Sequence, residues 1–506
     1  MTLGRNILWN FLAFICLSLL VIFVTPYMVR RLGLDAFGVY AIMTAINQYL
    51  TALDFGVGNA MIRFLATENE RGDRNQLGHY LRSGLLIQAL LGALLSLILF
   101  LVSGHLVHHW IQVPPGIQKD AVDAFRISSS AVFFGFMVVA YAAIPAALHR
   151  FDMLAFRTIL FFSIQFLLIA LVLYLGGHLR AVAIVYAGSM AGAAVYLVLV
   201  SKHLLPRTVL WPGWERRAVL QLLRFGRMKF PAQVSASFLQ QFDRIALGAL
   251  APVNLVAYYV VPQRISQRLS QTSEQIASPF YPTISSHLVA DRIPVLRYQY
   301  QQGMRVVLLA VSGAISVLGG LASPLLRVWM GDDFSRQGTV PFRLLLVAYG
   351  AGAVFTLPSV AADAAARPGI PAAFMVCGSL LHVALLMIAI PRWGLVGAAA
   401  AVLCGYLVPL LFGVPAVHRR IHALPPLTST VMECRGALLA GLVTLVVAWG
   451  ISRTDYAGSG IVPLFVSLTG ASVLFVSLAY ALGGIRNQEL RQLVRIIRAR
   501  PESISQ

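Results

Sequence analysis

Apolar runs of about 20 residues recur along the whole chain, each long enough for a helix to cross a hydrocarbon core. They predict about fourteen spans. The expected ranges are 8–29, 37–65, 82–103, 125–148, 156–176, 180–201, 226–250, 254–284, 303–326, 341–362, 370–390, 394–416, 434–451 and 461–482. The breaks are short, the longest covering 202–225, so no soluble catalytic domain fits between spans. The expected class is an all-α polytopic membrane protein.

Polar positions inside these runs are not scattered. The stretch VVPQRISQRLSQTSEQ, 260–275, sits between lipid-compatible segments. At about 100° per residue it places Gln263, Gln267, Gln271, Glu274 and Ser278 on one helical face, with Arg264 and Arg268 at its edge. Ile265, Leu269 and Ile276 take the opposite side. The preceding span puts Gln233, Ser237, Gln240, Gln241 and Arg244 on a shared face, with Asp243 beside it. In the second span Tyr40, Thr44, Asn47, Thr51, Asp54 and Gly58 step by three and four. Asn10, Ser18 and Thr25 mark the first span more thinly, and spans eleven to fourteen are almost purely apolar, with His382 the main exception.

A polar residue at bilayer depth is costly unless it faces protein or a water-filled cavity. The stripes therefore predict a cationic chamber lined by the first two helices of each half. Arg264 and Arg268 lie one turn apart, so both guanidiniums can converge on one anion. The amides of Asn47, Gln240, Gln241, Gln267 and Gln271 are expected to bind substrate beside Arg244, Arg264 and Arg268. Asp54 and Asp243 are expected as couplers, or as structural partners of Arg63 and Arg244; Glu274 reads as a partner for the span's own arginines.

Composition agrees with the pattern. Of 506 residues, 58% are hydrophobic and 11% charged, against roughly 25% charged in soluble chains. Mean hydropathy is +0.78. The net charge of +20 would suggest nucleic acid in a soluble protein. Here it follows from Lys and Arg gathering in cytoplasmic segments, so no nucleic-acid partner is expected. With the N-terminus inside, most basic residues fall inside, including Arg419, Arg420 and the C-terminal arginines. If 254–284 did not cross, every later span would invert and that bias would be lost. The polar stretch is thus expected to span. The N-terminal run is too long for a signal peptide and reads as a retained span. After Gly484 the tail reads as a basic amphipathic helix on the inner leaflet.

Little else carries chemistry. Cys16, Cys377, Cys404 and Cys434 lack metal-ligand spacing and read as free thiols. His105 and His109 lie one turn apart without a carboxylate or cysteine nearby, which favours interfacial histidines over zinc. No Walker A sequence, nucleophile elbow or carboxylate cluster is present. No cofactor, no metal and no enzymatic activity are expected.

A faint repeat joins GLDAFGVYA, 33–41, to APVNLVAYY, 251–259, aligning Tyr40 with Tyr258. It divides the chain into an N-lobe at 1–201, a cytoplasmic linker at 202–225 and a C-lobe at 226–416. Two added spans at 417–482 and a tail at 483–506 complete it.

The segment RRLGLDAFGVYAIMTAINQYLTALDFGVGNAMIRFLA, 30–66, resembles the N-terminal signature of the Wzx-type polysaccharide flippases. These belong to the multidrug/oligosaccharidyl-lipid/polysaccharide exporter superfamily. FDRIALGAL with VAYYVVPQRI, 242–265, resembles the matching start of the second lobe. The resemblance implies two six-helix lobes and alternating access. It implies a cargo of undecaprenyl-diphosphate-linked oligosaccharide, moved from the inner to the outer leaflet of the bacterial cytoplasmic membrane, with both termini cytoplasmic. It also implies a greasy groove for the lipid tail on spans thirteen and fourteen. The partners expected are the lipid-linked oligosaccharide, membrane lipid, and the polymerase and chain-length proteins of the same pathway.

Three alternatives stand beside it. A peptidoglycan-precursor flippase is close. A drug/cation antiporter of the same superfamily would favour an acidic chamber. A membrane polysaccharide polymerase or ligase would need a large external loop, which the chain lacks.

Overall fold

The computed structural model describes residues 20–206, 210–454 and 456–485. Apart from short turns and connections these residues are helical, without strands, as the apolar periodicity requires. Helix α1 runs over 20–32 among the described residues. It is followed by α2 (Leu34–Ala52), α3 (Val57–Arg71), α4 (Arg74–His105), α5 (Gln118–Ala147), α6 (Phe151–Tyr174), α7 (Leu179–Leu204), α8 (Arg216–Leu250) and α9 (Val253–Ala277). Next come α10 (Phe280–Val289), α11 (Ile293–Gly320), α12 (Ala322–Met330), α13 (Asp332–Ala364), α14 (Gly369–Val408), α15 (Val414–Arg420), α16 (Leu427–Ser452) and α17 (Ile461–Ala481).

Nine helical segments among the described residues are long and apolar enough to cross a membrane, so the protein is a multi-pass membrane protein. Helices α2, α8 and α9 are not among them. Their sequences are interrupted by the polar residues that form the expected stripes. Asn10 and Ser18 of the first span, and the tail from residue 486, lie outside the described residues.

The stretch 37–65, expected as one span, is two helices. Helix α2 stops at Ala52, and the chain turns through Leu53–Gly56 with Phe55 at φ 52° and Gly56 at φ 71°. Glycine tolerates that left-handed backbone without penalty, and phenylalanine does not. The turn also lies backbone to backbone against α8: a Cβ on Gly56 would come within 2.6 Å of the Gly226 carbonyl oxygen. The expected span 254–284 is likewise divided, with α9 ending at Ala277 and α10 starting at Phe280. Conversely, 370–408 is one helical run bent at Gly394, whose φ of 52° and ψ of −126° separate the two spans expected there.

The chain divides into two compact units, and the division falls inside α9, after Val260. In the first unit, residues 1–260 with 386–394, α5 packs against α4 and α7, and α2 and α3 pack on α8. Val57, Met61, Leu81, Leu85, Ile144 and Leu222 form one apolar core. The two repeated segments meet here. A Cβ on Gly38 of α2 would collide with the Val253 carbonyl at the start of α9.

In the second unit, residues 261–385 with 395–506, α11 packs against α13 and α16, and α12 folds onto α13. Arg305 on α11 is buried and donates from Nη2 to Glu433 Oε2 on α16 at 2.7 Å. Nearby, the Tyr300 hydroxyl lies 3.0 Å from His418 Nε2. These polar ties replace, within a membrane bundle, the hydrophobic drive that a lipid solvent cannot supply.

Candidate functional site

The first polar cluster is built around Asp54, at the turn that divides α2 from α3. Its side chain is 3% exposed. Oδ1 accepts from the Gly56 N–H at 2.8 Å and Oδ2 from the Gly58 N–H at 2.9 Å, which caps the start of α3. Gln233 Nε2 on α8 donates to Oδ1 at 2.9 Å and to the Ala52 carbonyl at 3.0 Å. Gln88 Nε2 on α4 approaches Oδ2 at 3.4 Å. The carboxylate thus joins three elements through N–H donors and is not paired with Arg63. Arg63 is exposed on α3, and its guanidinium lies 4.7 Å from the centre of the Phe225 ring.

The second cluster lies where α8 approaches its end. Asp243 is fully buried, accepting from the Arg244 N–H at 2.9 Å and from the Tyr259 hydroxyl at 2.6 Å. Arg244 is 5% exposed. On the same helix Gln240 is exposed, whereas Gln241 is half-buried with its Oε1 unbonded. Asn47 on α2 is buried; its Nδ2 donates to the Met43 carbonyl at 2.9 Å, and its Oδ1 has no partner among the described residues.

The third cluster belongs to the second unit and occupies α9. Gln263 and Gln267 donate to the Tyr349 hydroxyl on α13, at 3.0 and 3.1 Å. The Ser270 hydroxyl donates to the Tyr349 carbonyl at 3.0 Å. One side of the predicted stripe is therefore held against α13. On the rest of the stripe, Gln271 and Glu274 are exposed, and Arg264 and Arg268 are half-buried. Arg268 Nη1 donates to Gln271 Oε1 at 2.9 Å. Leu269 lies in an apolar cluster with Leu326, Phe342 and Leu346, with Ile265 packed against it, as the helical wheel requires.

Tyr259, Tyr349 and Gln88 carry these networks and were not singled out from the sequence. Gln88 had a usable signal, a lone amide deep in an apolar run. Neither tyrosine had one, because tyrosines in such runs serve packing as readily as hydrogen bonding.

Electrostatically, the stretch from Gln240 to Ala277 carries three arginines and two acids, one of which, Asp243, is already bonded to Tyr259 and to the Arg244 backbone. Guanidiniums that are buried or half-buried in protein are suited to planar, multi-oxygen anions such as phosphates.

Comparison with known proteins gives a consistent picture. The family described as "Polysaccharide biosynthesis protein" matches residues 3–288. The chain is 22% identical over 333 residues to the Bacillus subtilis (strain 168) uncharacterized membrane protein EpsK, covering 64% of this chain and 65% of that one. It is 22% identical over 403 residues to a putative O-antigen transporter of Shigella flexneri, covering 79% of this chain and 94% of that one. Among solved structures, the lipid II flippase MurJ in an inward closed conformation aligns with a TM-score of 0.69 at 13% identity, over 95% of this chain and all of that one. That likeness concerns the fold.

Proposed function

The chain belongs to the polysaccharide biosynthesis protein family, and from that premise we propose that it is a flippase for lipid-linked glycans. The single observation that carries this reading is the set of buried and half-buried arginines on α8 and α9, helices too polar to serve as simple lipid-facing spans.

In this reading Arg244, Arg264 and Arg268 are the cationic groups that attract the diphosphate of an undecaprenyl-diphosphate-linked oligosaccharide. In a partly desolvated setting such charge-assisted contacts are strong. Gln240 and Gln271, the exposed amides, bind sugar hydroxyls, together with Gln267 through whatever bonding Tyr349 leaves open. Asn47 and Gln241 each hold an unbonded carbonyl oxygen that a sugar hydroxyl or water would satisfy. Asp243 is the coupling candidate, and the four N–H donors to Asp54 support a structural role for that carboxylate. The lobes at 1–201 and 226–416 rock to alternate access, carrying cargo from the inner to the outer leaflet of the cytoplasmic membrane. Both termini are cytoplasmic, and the polymerase and chain-length proteins of the pathway act on the delivered repeat units.

The test is the Arg264→Ala/Arg268→Ala double variant in the native host. Surface polysaccharide should disappear, with full-length lipid-linked repeat units accumulating unpolymerised, while the protein inserts at its normal level. Normal surface polysaccharide in an inserted double variant would sink the reading.

A further inference from the structure

The second unit contains a cavity of about 390 Å³ among α11, α13 and α16. That is within the range of roughly 300–1,000 Å³ common for small-molecule sites. Its walls are Ile315, Val347, Leu445, Val446 and Trp449, and one charged side chain, Arg343, lines it as well. Val347, Val446 and Trp449 are exposed, so the cavity opens on the outer surface of its unit. Leu445, Val446 and Trp449 lie on α16, the thirteenth expected span, where the resemblance places the cargo's tail; the arginines and amides assigned above to the cargo's headgroup take no part in the cavity.

Arg343 has one polar contact among the described residues. Its Nε donates to the Gly319 carbonyl at 2.9 Å, in the last turn of α11, where helix carbonyls lack intrahelical partners. The remaining guanidinium N–H groups have no partner in the described protein. This sets Arg343 apart from Arg327 on α12, which pairs with Asp332 at 3.0 Å. Trp449 stands three residues before the end of α16, and the Arg453 guanidinium lies 3.9 Å over its ring. An indole at a helix end, stacked with a cation, is typical of the depth at which lipid headgroups lie. Two positive charges therefore meet an apolar hollow at headgroup level.

We propose that this cavity is a binding site for an anionic glycerophospholipid. The acyl chain fills the hollow, and the phosphate receives the free N–H groups of Arg343, with Arg453 at the rim. An ionised guanidinium lined by Ile, Val, Leu and Trp is costly to leave without an anion, and basic pockets between membrane helices are known to take lipid headgroups. A zwitterionic lipid would fill the hollow equally well but would bring its own cation toward Arg453. Charge complementarity thus selects the anionic headgroup. The proposal does not rest on the headgroup chamber, and the polyprenyl phosphate arm below separates it from a cargo-tail groove.

The experiment uses the full-length protein in detergent, with phosphatidylglycerol and phosphatidylcholine supplied in equal amounts and retained lipid read by native mass spectrometry. The wild type should retain phosphatidylglycerol preferentially. Arg343→Gln should lower phosphatidylglycerol affinity by roughly tenfold or more, the loss of charge-assisted contacts, and abolish the preference. Val347→Trp, a surface change that fills the hollow and leaves Arg343 in place, should lower retention of both lipids. Unchanged preference in Arg343→Gln overturns the proposal. So does unchanged retention in Val347→Trp, which decides the matter alone if Arg343→Gln does not fold. Displacement of phosphatidylglycerol by an equimolar polyprenyl phosphate also overturns it, by assigning the hollow to the cargo's tail.

Discussion

The Tyr259 hydroxyl donates to Asp243 Oδ2 across 2.6 Å, tying the start of α9 to the end of α8. The bond links Tyr259, the residue after the repeat's Tyr258, to the acid beside Arg244. Asp243 is fully buried, so its charge depends on such donors. Tyr259→Phe should lower stability by about 0.5–1.7 kcal/mol, the range that side-chain hydrogen bonds show within bilayers. Unfolding of the purified variant in mixed detergent micelles measures this. If Asp243 also couples transport to an ion, the same variant should shift the pH dependence of export.

Asp54 separates two roles. Its oxygens accept from Gly56, Gly58, Gln233 and Gln88, all N–H groups. Asparagine at this site would turn an NH₂ toward donors, leaving at least one buried N–H unsatisfied. Asp54→Asn should therefore destabilise the protein by at least about 1–3 kcal/mol. A pure coupling carboxylate would tolerate the change in stability and lose only ion dependence. Thermal unfolding of Asp54→Asn distinguishes the two, and wild-type stability would count against the structural role.

Gly226 lies where any side chain meets the Phe55 carbonyl of the α2–α3 turn. Gly226→Ala should shift that turn or α8, costing about 1–3 kcal/mol as overpacking does elsewhere. Reduced expression and a lower unfolding midpoint are expected. Wild-type behaviour would mean that the turn yields freely, contrary to a close backbone contact.

For the arginines of α9, the Lys variants are more informative than removal. Arg264→Lys with Arg268→Lys keeps the charge but loses the planar fork that binds a phosphate through two parallel bonds. Export should fall by about tenfold and not vanish, since one good charge-assisted contact is worth about that factor. Complementation of a deletion strain, quantified as surface polysaccharide, reads this. Full activity of the Lys pair would indicate that only bulk positive charge matters.

Periodicity alone was enough to read the all-α polytopic class, since about 20 apolar residues in a row have few other uses. It also placed Leu269 and Ile265 opposite the amides of α9, and the structure keeps them there, in the cluster with Phe342 and Leu346. A helical wheel follows from a fixed rotation per residue, so it identifies which side chains share a face. It does not identify what that face meets. That is why Gln263 and Gln267 emerged from the sequence as a free stripe, and from the fold as donors to Tyr349, more than eighty residues away. Asp54 was misplaced for a related reason. Steps of three and four continued smoothly through L-D-F-G-V-G, so the stretch read as one helix. The turn at Phe55 and Gly56, with positive φ at both, packs against Gly226 and is bonded through Asp54 to Gln233, both far along the chain. Chain-local energetics thus dictated helix and face, while the partners of buried polar groups depended on long-range packing, where burial without a hydrogen bond costs too much to persist.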